Sequence, residues 1–295
     1  MTYRLALVTA TATLVLIVVG GLVTNTGAAL AVPDWPNTFG YNMFLFPWSR
    51  MVGGVLYEHS HRLVAAVVGS LTLALAAALW RRGGPLRALG FAAALAVVAQ
   101  GVLGGLRVVL LHDQLAIVHG CLAQAFWALL VTVAVLTAPG GAAQAPAARS
   151  LRLLAVAGVA LVFAQIVFGA LLTHEGWIAL HLAGAVAVFA VVPVLTARAR
   201  RGADPIAARA SGALLVLLGL QLALGLGSFV ARFTSVWIPG EQLTMLVLPV
   251  AHRLAGSLIL GATVVVAIRL WAGRALAGRR PELAVAAHAH AGGAR

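Results

Sequence analysis

The chain has 295 residues, of which 62% are hydrophobic and only 9% charged, and its formal net charge is +13. That apolar load excludes a soluble domain and suits a polytopic helical membrane protein. The charge does not point to nucleic acid: fifteen of the twenty arginines sit at the N-terminus, in three connections between apolar segments or at the C-terminal end, accompanied only by Asp204 and Glu282.

A membrane span needs about 20 apolar residues. Eight windows qualify, at 4–30, 54–80, 88–110, 115–137, 152–173, 177–197, 211–232 and 246–271. Arginine-rich separators alternate with short acidic ones carrying Asp113, Glu175 and Glu241. By the positive-inside asymmetry both termini are then cytoplasmic, and every even-numbered span starts at the outer face. The first window is too long for the apolar core of a signal peptide and is read as a helix. Behind it, Val32 to Gly53 carries Pro33, Asp34, Trp35, Pro36, Phe44, Phe46, Pro47 and Trp48, a density of Trp and Pro that predicts an ordered loop at the membrane interface.

The second span opens on Glu58-His59-Ser60-His61-Arg62. At 100° per residue, Glu58 lies about 60° from His61 and about 40° from Arg62, whereas His59 is turned about 160° from His61. Gln100-xxx-Gly104, Gln165-xxx-Gly169 and Gln221-xxx-Gly225 recur on the third, fifth and seventh spans, and His61-Arg62-Leu63 returns as His252-Arg253-Leu254. Four spans separate the equivalent helices, so the repeat predicts two halves of like topology related by an axis along the membrane normal. The expected fold is all-α, with eight transmembrane helices forming two pseudo-symmetric four-helix bundles at 1–138 and 150–272. A disordered cytoplasmic tail follows at 273–295, and His288 and His290 in it are read as low-complexity residues. Cys121, the only cysteine, can form no internal disulfide.

His61, His119, His181 and His252 fall one to three turns into the even-numbered spans, two in each half. An ionisable side chain at that depth is costly, so four at matched depth make a site. A single intramembrane histidine can simply hydrogen-bond a neighbouring helix. Four in a duplicated frame suit axial ligation of two haems by neutral imidazoles. Small residues one turn on, at Ala65, Ala123, Gly184, Ala255 and Gly256, are expected to leave room for a porphyrin edge. Arg62 and Arg253 each follow a ligand histidine and suit haem propionates, as do Arg107 and Arg232 near the outer ends of their spans. His112 and His174 fall in outer connections and are expected to be interfacial. Glu58 is the asymmetric residue, since the equivalent place before His252 holds Pro249. Two functions fit these residues: an enzyme acting on one of the haems, or a bis-histidine di-haem b electron-transfer cytochrome.

The loop Val32-Pro33-Asp34-Trp35-Pro36 after a Gly-Gly-Leu-Val-Thr helix end, Glu58-xx-His61-Arg62, and one histidine per even span together resemble the haem A synthase family over about residues 1–272. The resemblance implies oxidation of a ring methyl of haem O to a formyl group, giving haem A for terminal oxidases. It implies substrate haem O between His61 and His119, catalytic Glu58 beside it, and a retained haem b between His181 and His252. Haem O synthase and cytochrome oxidase assembly factors are the partners it suggests, and a prokaryotic inner membrane the location. Two departures stand out: the loop lacks the cysteine pair that many bacterial members carry, and Asn25 replaces a basic residue often found at the end of the first helix.

Overall fold

The computed structural model describes residues 1–112, 114–139, 147–236 and 240–271. The tail with its two histidines, and Asp113, lie outside the described residues. Eight helices follow in chain order: α1 (Thr2–Asn25), α2 (Gly54–Trp80), α3 (Gly84–Leu110), α4 (Gln114–Thr137), α5 (Arg149–Glu175), α6 (Ile178–Arg200), α7 (Pro205–Phe233) and α8 (Glu241–Trp271). Each is long and apolar enough to cross a membrane. Helices satisfy most of their backbone groups internally, as a lipid environment requires, and hydroxyls such as those of Thr9, Thr13 and Thr72 donate back to the carbonyl four residues earlier. Among the described residues there is no strand, only an isolated bridge between Thr38 and Tyr41.

Helix ends depart from the hydropathy windows where capping chemistry intervenes. The first helix stops at Asn25 instead of running to 30, because both the backbone N–H and the hydroxyl of Thr26 bond the Leu22 carbonyl and Gly27 turns the chain at φ +66°. In contrast, α7 reaches back to Pro205, well before its apolar window. The Asp204 carboxylate accepts from the N–H groups of Ile206 and Ala207, and proline occupies the first turn. Asp204 is also held by Arg269 of α8 at 2.7 Å, which ties the start of α7 to the end of α8.

Packing separates the chain into two sets of four. Within the first set, α1 packs on α2 and α4, and α3 on α2 and α4; within the second, α5 packs on α6 and α8, and α7 on α6 and α8. The even-numbered helices of each ring therefore stand diagonally opposed. Each ring has its own apolar core, one around Val68, Leu75, Leu130 and Val133, the other around Val192, Leu195, Leu214 and Leu260. In lipid, close packing and not water exclusion holds such helices together, and small residues set the approach. A Cβ on Gly90 of α3 would stand 2.9 Å from Leu79 Cβ of α2. The rings meet along α1–α8, α4–α8 and α4–α5. There the Trp127 indole of α4 lies against Gly261 of α8 and donates to the Ala10 carbonyl of α1.

Candidate functional site

The four histidines form two pairs across the diagonals of the two rings. His61 on α2 and His119 on α4 have ring centroids 6.4 Å apart with planes at 70°. His181 on α6 and His252 on α8 stand 6.2 Å apart at 67°. Two in-line nitrogen–metal bonds of about 2 Å, with roughly 1 Å more from each nitrogen to its ring centre, place two axial imidazoles about 6 Å apart across a planar macrocycle. Both pairs fit that spacing. Each pair offers two imidazoles, the number that a haem, which brings its own four nitrogens, needs from the protein.

Each imidazole is seated on a glycine of the odd-numbered helix beside it. A Cβ on Gly20 of α1 would stand 3.1 Å from His61 Cε1; on Gly104 of α3, 3.3 Å from His119 Cε1; on Gly169 of α5, 3.4 Å from His181; on Gly225 of α7, 2.9 Å from His252. The repeated Gln-xxx-Gly string is thus a histidine seat, and its glutamine, one turn deeper, reaches the same histidine. Gln100 Nε2 donates to the His119 carbonyl at 3.1 Å and Gln165 Nε2 to the His181 carbonyl at 2.9 Å. Gln221 Nε2 lies 3.2 Å from His252 Nε2, and His252 Nδ1 donates to the Gln221 carbonyl at 3.2 Å. The repeat was visible in the sequence, but which helix its face met was not. One expectation needs correction: Gly184, one turn past His181, does not open space for a porphyrin edge, because Gln165 Oε1 and the Phe168 ring already fill it.

Only the first pair is roofed by the long loop, which carries two short 3₁₀ turns at Met43–Leu45 and Trp48–Arg50. Glu58 is 6% exposed and both its oxygens are engaged, one by the Val32 N–H at 3.0 Å and the other by Arg62 at 2.8 Å. Arg62 also donates to the carbonyls of Val32, Asp34 and Asn37. Its terminal nitrogens therefore grip the loop, a task the propionate expectation did not foresee. His59, which sequence geometry turned away from the ligand face, is 1% exposed, bonds the Thr38 hydroxyl through Nδ1 at 3.1 Å and packs on the Phe46 ring. The Trp35 ring lies on Gly105 of α3, so the loop bridges α2 and α3. Asp34 holds the loop's own turn through the N–H groups of Phe39 and Gly40 at 2.7 Å each. Partial burial pushes the Asp34 carboxyl up, but those two N–H groups and Arg62 outweigh it and hold the group below the usual carboxylate range.

The other three arginines are not spent in this way. Arg107, one turn past Gly104 on α3, keeps its Nε buried without a partner. Arg232 is exposed near the end of α7, and Arg253 follows His252 but reaches across to α1, where its Nη1 would be 3.1 Å from a Cβ on Gly21. The Gly20-Gly21 step thus seats His61 with one residue and Arg253 with the next. Asn25 donates to the Leu246 carbonyl of α8 at 3.4 Å. His112 is exposed in the connection just past α3, as expected, whereas His174, expected in an outer connection, is half-buried in the last turn of α5.

Residues 42–180 match the family described as cytochrome oxidase assembly protein (COX15-CtaA). The Heme A synthase of Shouchella clausii is 37% identical to this chain over 105 residues, 34% of either protein. That of Lysinibacillus sphaericus is 39% identical over 106 residues, and that of Alkalihalophilus pseudofirmus 32% over 103, each covering 34% of this chain and 33% of the relative. The chain spans about a third of the length of the curated relatives it matches. These findings agree with the family resemblance drawn from the sequence, over a shorter stretch than the 1–272 expected. The matched stretch takes in Glu58, His61, Arg62, Arg107 and His119, and it stops one residue before His181.

Proposed function

We propose that this chain, which resembles the haem A synthase family, oxidises a ring methyl of haem O to a formyl group and so supplies haem A for terminal oxidases. One observation carries the proposal: within the matched stretch a roofed histidine pair has a buried carboxylate, Glu58, one turn before its first ligand, and the second pair has Pro249 there. In this reading His61 and His119 hold substrate haem O, and His181 and His252 hold a haem b that relays electrons. Arg107, Arg232 and Arg253 pair with propionates at the loop end of the bundle. Arg62 contributes by clamping the roof over the substrate. With both termini cytoplasmic in a prokaryotic inner membrane, haem O synthase delivers the substrate and oxidase assembly factors receive the product.

The residues divide the work. Neutral imidazoles bind and orient the substrate at right angles to the line between them. The loop, fixed through Glu58, Arg62, His59 and Trp35, keeps bulk water from that site. Methyl plus water to alcohol, then alcohol to aldehyde, each release two protons and two electrons. Glu58 takes a proton at a carboxylate oxygen, with Arg62 stabilising its charged form, and the electrons would pass by way of the second pair's haem to an external acceptor. The near-equal spacing of the two pairs also suits an electron-transfer cytochrome with two fixed haems. Glu58→Gln separates the two: it should keep both haems yet stop haem A formation, with haem O or a hydroxylated intermediate accumulating. A wild-type yield of haem A from Glu58→Gln would return Glu58 to a purely structural ion pair.

A further inference from the structure

The end of the second ring away from the histidines holds two arginines that are not free in water. Arg269 of α8 is buried and paired with Asp204, the only acid at that end among the described residues, whose carboxylate also caps α7. Arg152, in the first turn of α5, has no such partner: its Nε and Nη1 are buried and make no hydrogen bond. Its guanidinium is nonetheless held in place. It lies over the Trp271 ring of α8, 4.8 Å from the centroid, and the Trp271 indole donates to the Arg152 carbonyl at 3.4 Å. At the same end of the first ring Arg87 stacks on Trp80 in the same way, at 5.0 Å, but there the arginine is exposed and water serves its donors.

A buried donor without a partner is costly, more so when it is charged, and an anion relieves that cost. Nη2, the guanidinium nitrogen of Arg152 that stays accessible, shares one edge of the planar fork with Nε and the other with Nη1. An anion arriving there meets two donors. The surroundings also favour negative charge. Arg149 stands exposed one turn earlier, and no side chain caps the start of α5, whose free N–H groups add to the field. The Arg149 side of α5 then runs apolar and exposed through Leu153 and Val156, four and seven residues on, so the site opens on the lipid-facing surface. We propose that Arg152, stacked on Trp271, binds the phosphate of an anionic phospholipid, with Arg149 beside it and the acyl chains along Leu153 and Val156. Basic pockets between helices at the arginine-rich end of a membrane protein hold such headgroups. The site stands apart from haem binding, since the histidine pairs lie near the other end of the helices.

Native mass spectrometry of the full chain in detergent tests the assignment, with phosphatidylglycerol, phosphatidylcholine and inorganic phosphate as probes. The wild type should hold one phosphatidylglycerol about fivefold or more tightly than phosphatidylcholine, the weight of one arginine at a membrane surface. Arg152→Gln should lose that preference, and Arg87→Gln, at the exposed stack, should keep it. Should Arg152→Gln fail to insert, Trp271→Leu decides the matter, because it removes the platform under the guanidinium and should weaken phosphatidylglycerol binding likewise. Equal retention of the two lipids by the wild type would overturn the site. So would a preference that survives in Arg152→Gln or, where that variant does not insert, in Trp271→Leu. Displacement of phosphatidylglycerol by millimolar inorganic phosphate would make this a free-anion site and overturn the assignment to lipid.

Discussion

Gly225→Ala pits two effects of known sign against each other. In a helix interior, alanine is favoured over glycine by about 1 kcal/mol. The same methyl, however, would stand 2.9 Å from His252 Cε1, where carbon atoms settle at about 3.5–4.0 Å. The imidazole cannot retreat freely, because its Nδ1 is bonded to the Gln221 carbonyl of the same α7 helix. Overpacking of this kind costs about 1–3 kcal/mol. The apoprotein meets the same contact, so its thermal stability should not rise; with a bound haem fixing the ring as well, haem b affinity should drop about 5–150-fold. The assay is haem b per protein after detergent purification, alongside melting of haem-depleted protein. Gly169→Ala is the control, since its methyl would meet His181 at 3.4 Å, an ordinary contact. A haem content unchanged in Gly225→Ala, or a larger loss in Gly169→Ala, would refute the glycine-seat argument.

Replacing His181 or His252 with alanine should leave the protein inserted but strip its b-type absorbance; undiminished haem b in both variants would sink the assignment of that pair. His59→Ala should keep haem at the first site, because its side chain serves the loop, and should speed proteolysis between Asn37 and Tyr41; loss of haem with an intact loop would reverse the roles given to His59 and His61. At Asp204, burial pushes the carboxyl up, but hydrogen bonding to Arg269 and to the N–H groups of Ala207 and Ile206 brings it below its ordinary value. A lowered folded-state value means stability that is present above the unfolded value of about 3.9 and lost as pH falls through the folded one. Melting temperature should therefore fall below about pH 4 in the wild type and be flatter there in Asp204→Asn; identical acid limbs would show that the Arg269 pair contributes nothing.

How much could be foreseen depended on whether the signal was local. Eight spans were legible because a lipid interior demands long apolar runs, and four histidines stood out because such groups are costly at that depth. The separation of His59 from His61 followed from helical angle alone, and their different partners agree with it, Thr38 of the loop for His59 and His119 for His61. Helix ends were misjudged where Asp204 and Thr26 act, since a cap is worth more there than hydropathy. The Gln-xxx-Gly repeat was plain as a repeat, yet its meaning lies in the register between neighbouring helices, which periodicity within one helix does not contain. Arg62 illustrates the same limit: its loop partners, Val32, Asp34 and Asn37, are 25 to 30 residues away in sequence, and only the path of the loop brings their carbonyls together.

Pigment typing tests the central claim most directly. The protein is produced in a membrane supplied with haem O, its pigments are extracted, and the haems are identified by mass spectrometry. Haem b together with haem A, the latter absent when Glu58→Gln replaces the wild type, is the expected result. Two haem b per chain, with haem O left unmodified in the membrane, would contradict the proposed oxidation and make the protein a di-haem electron carrier.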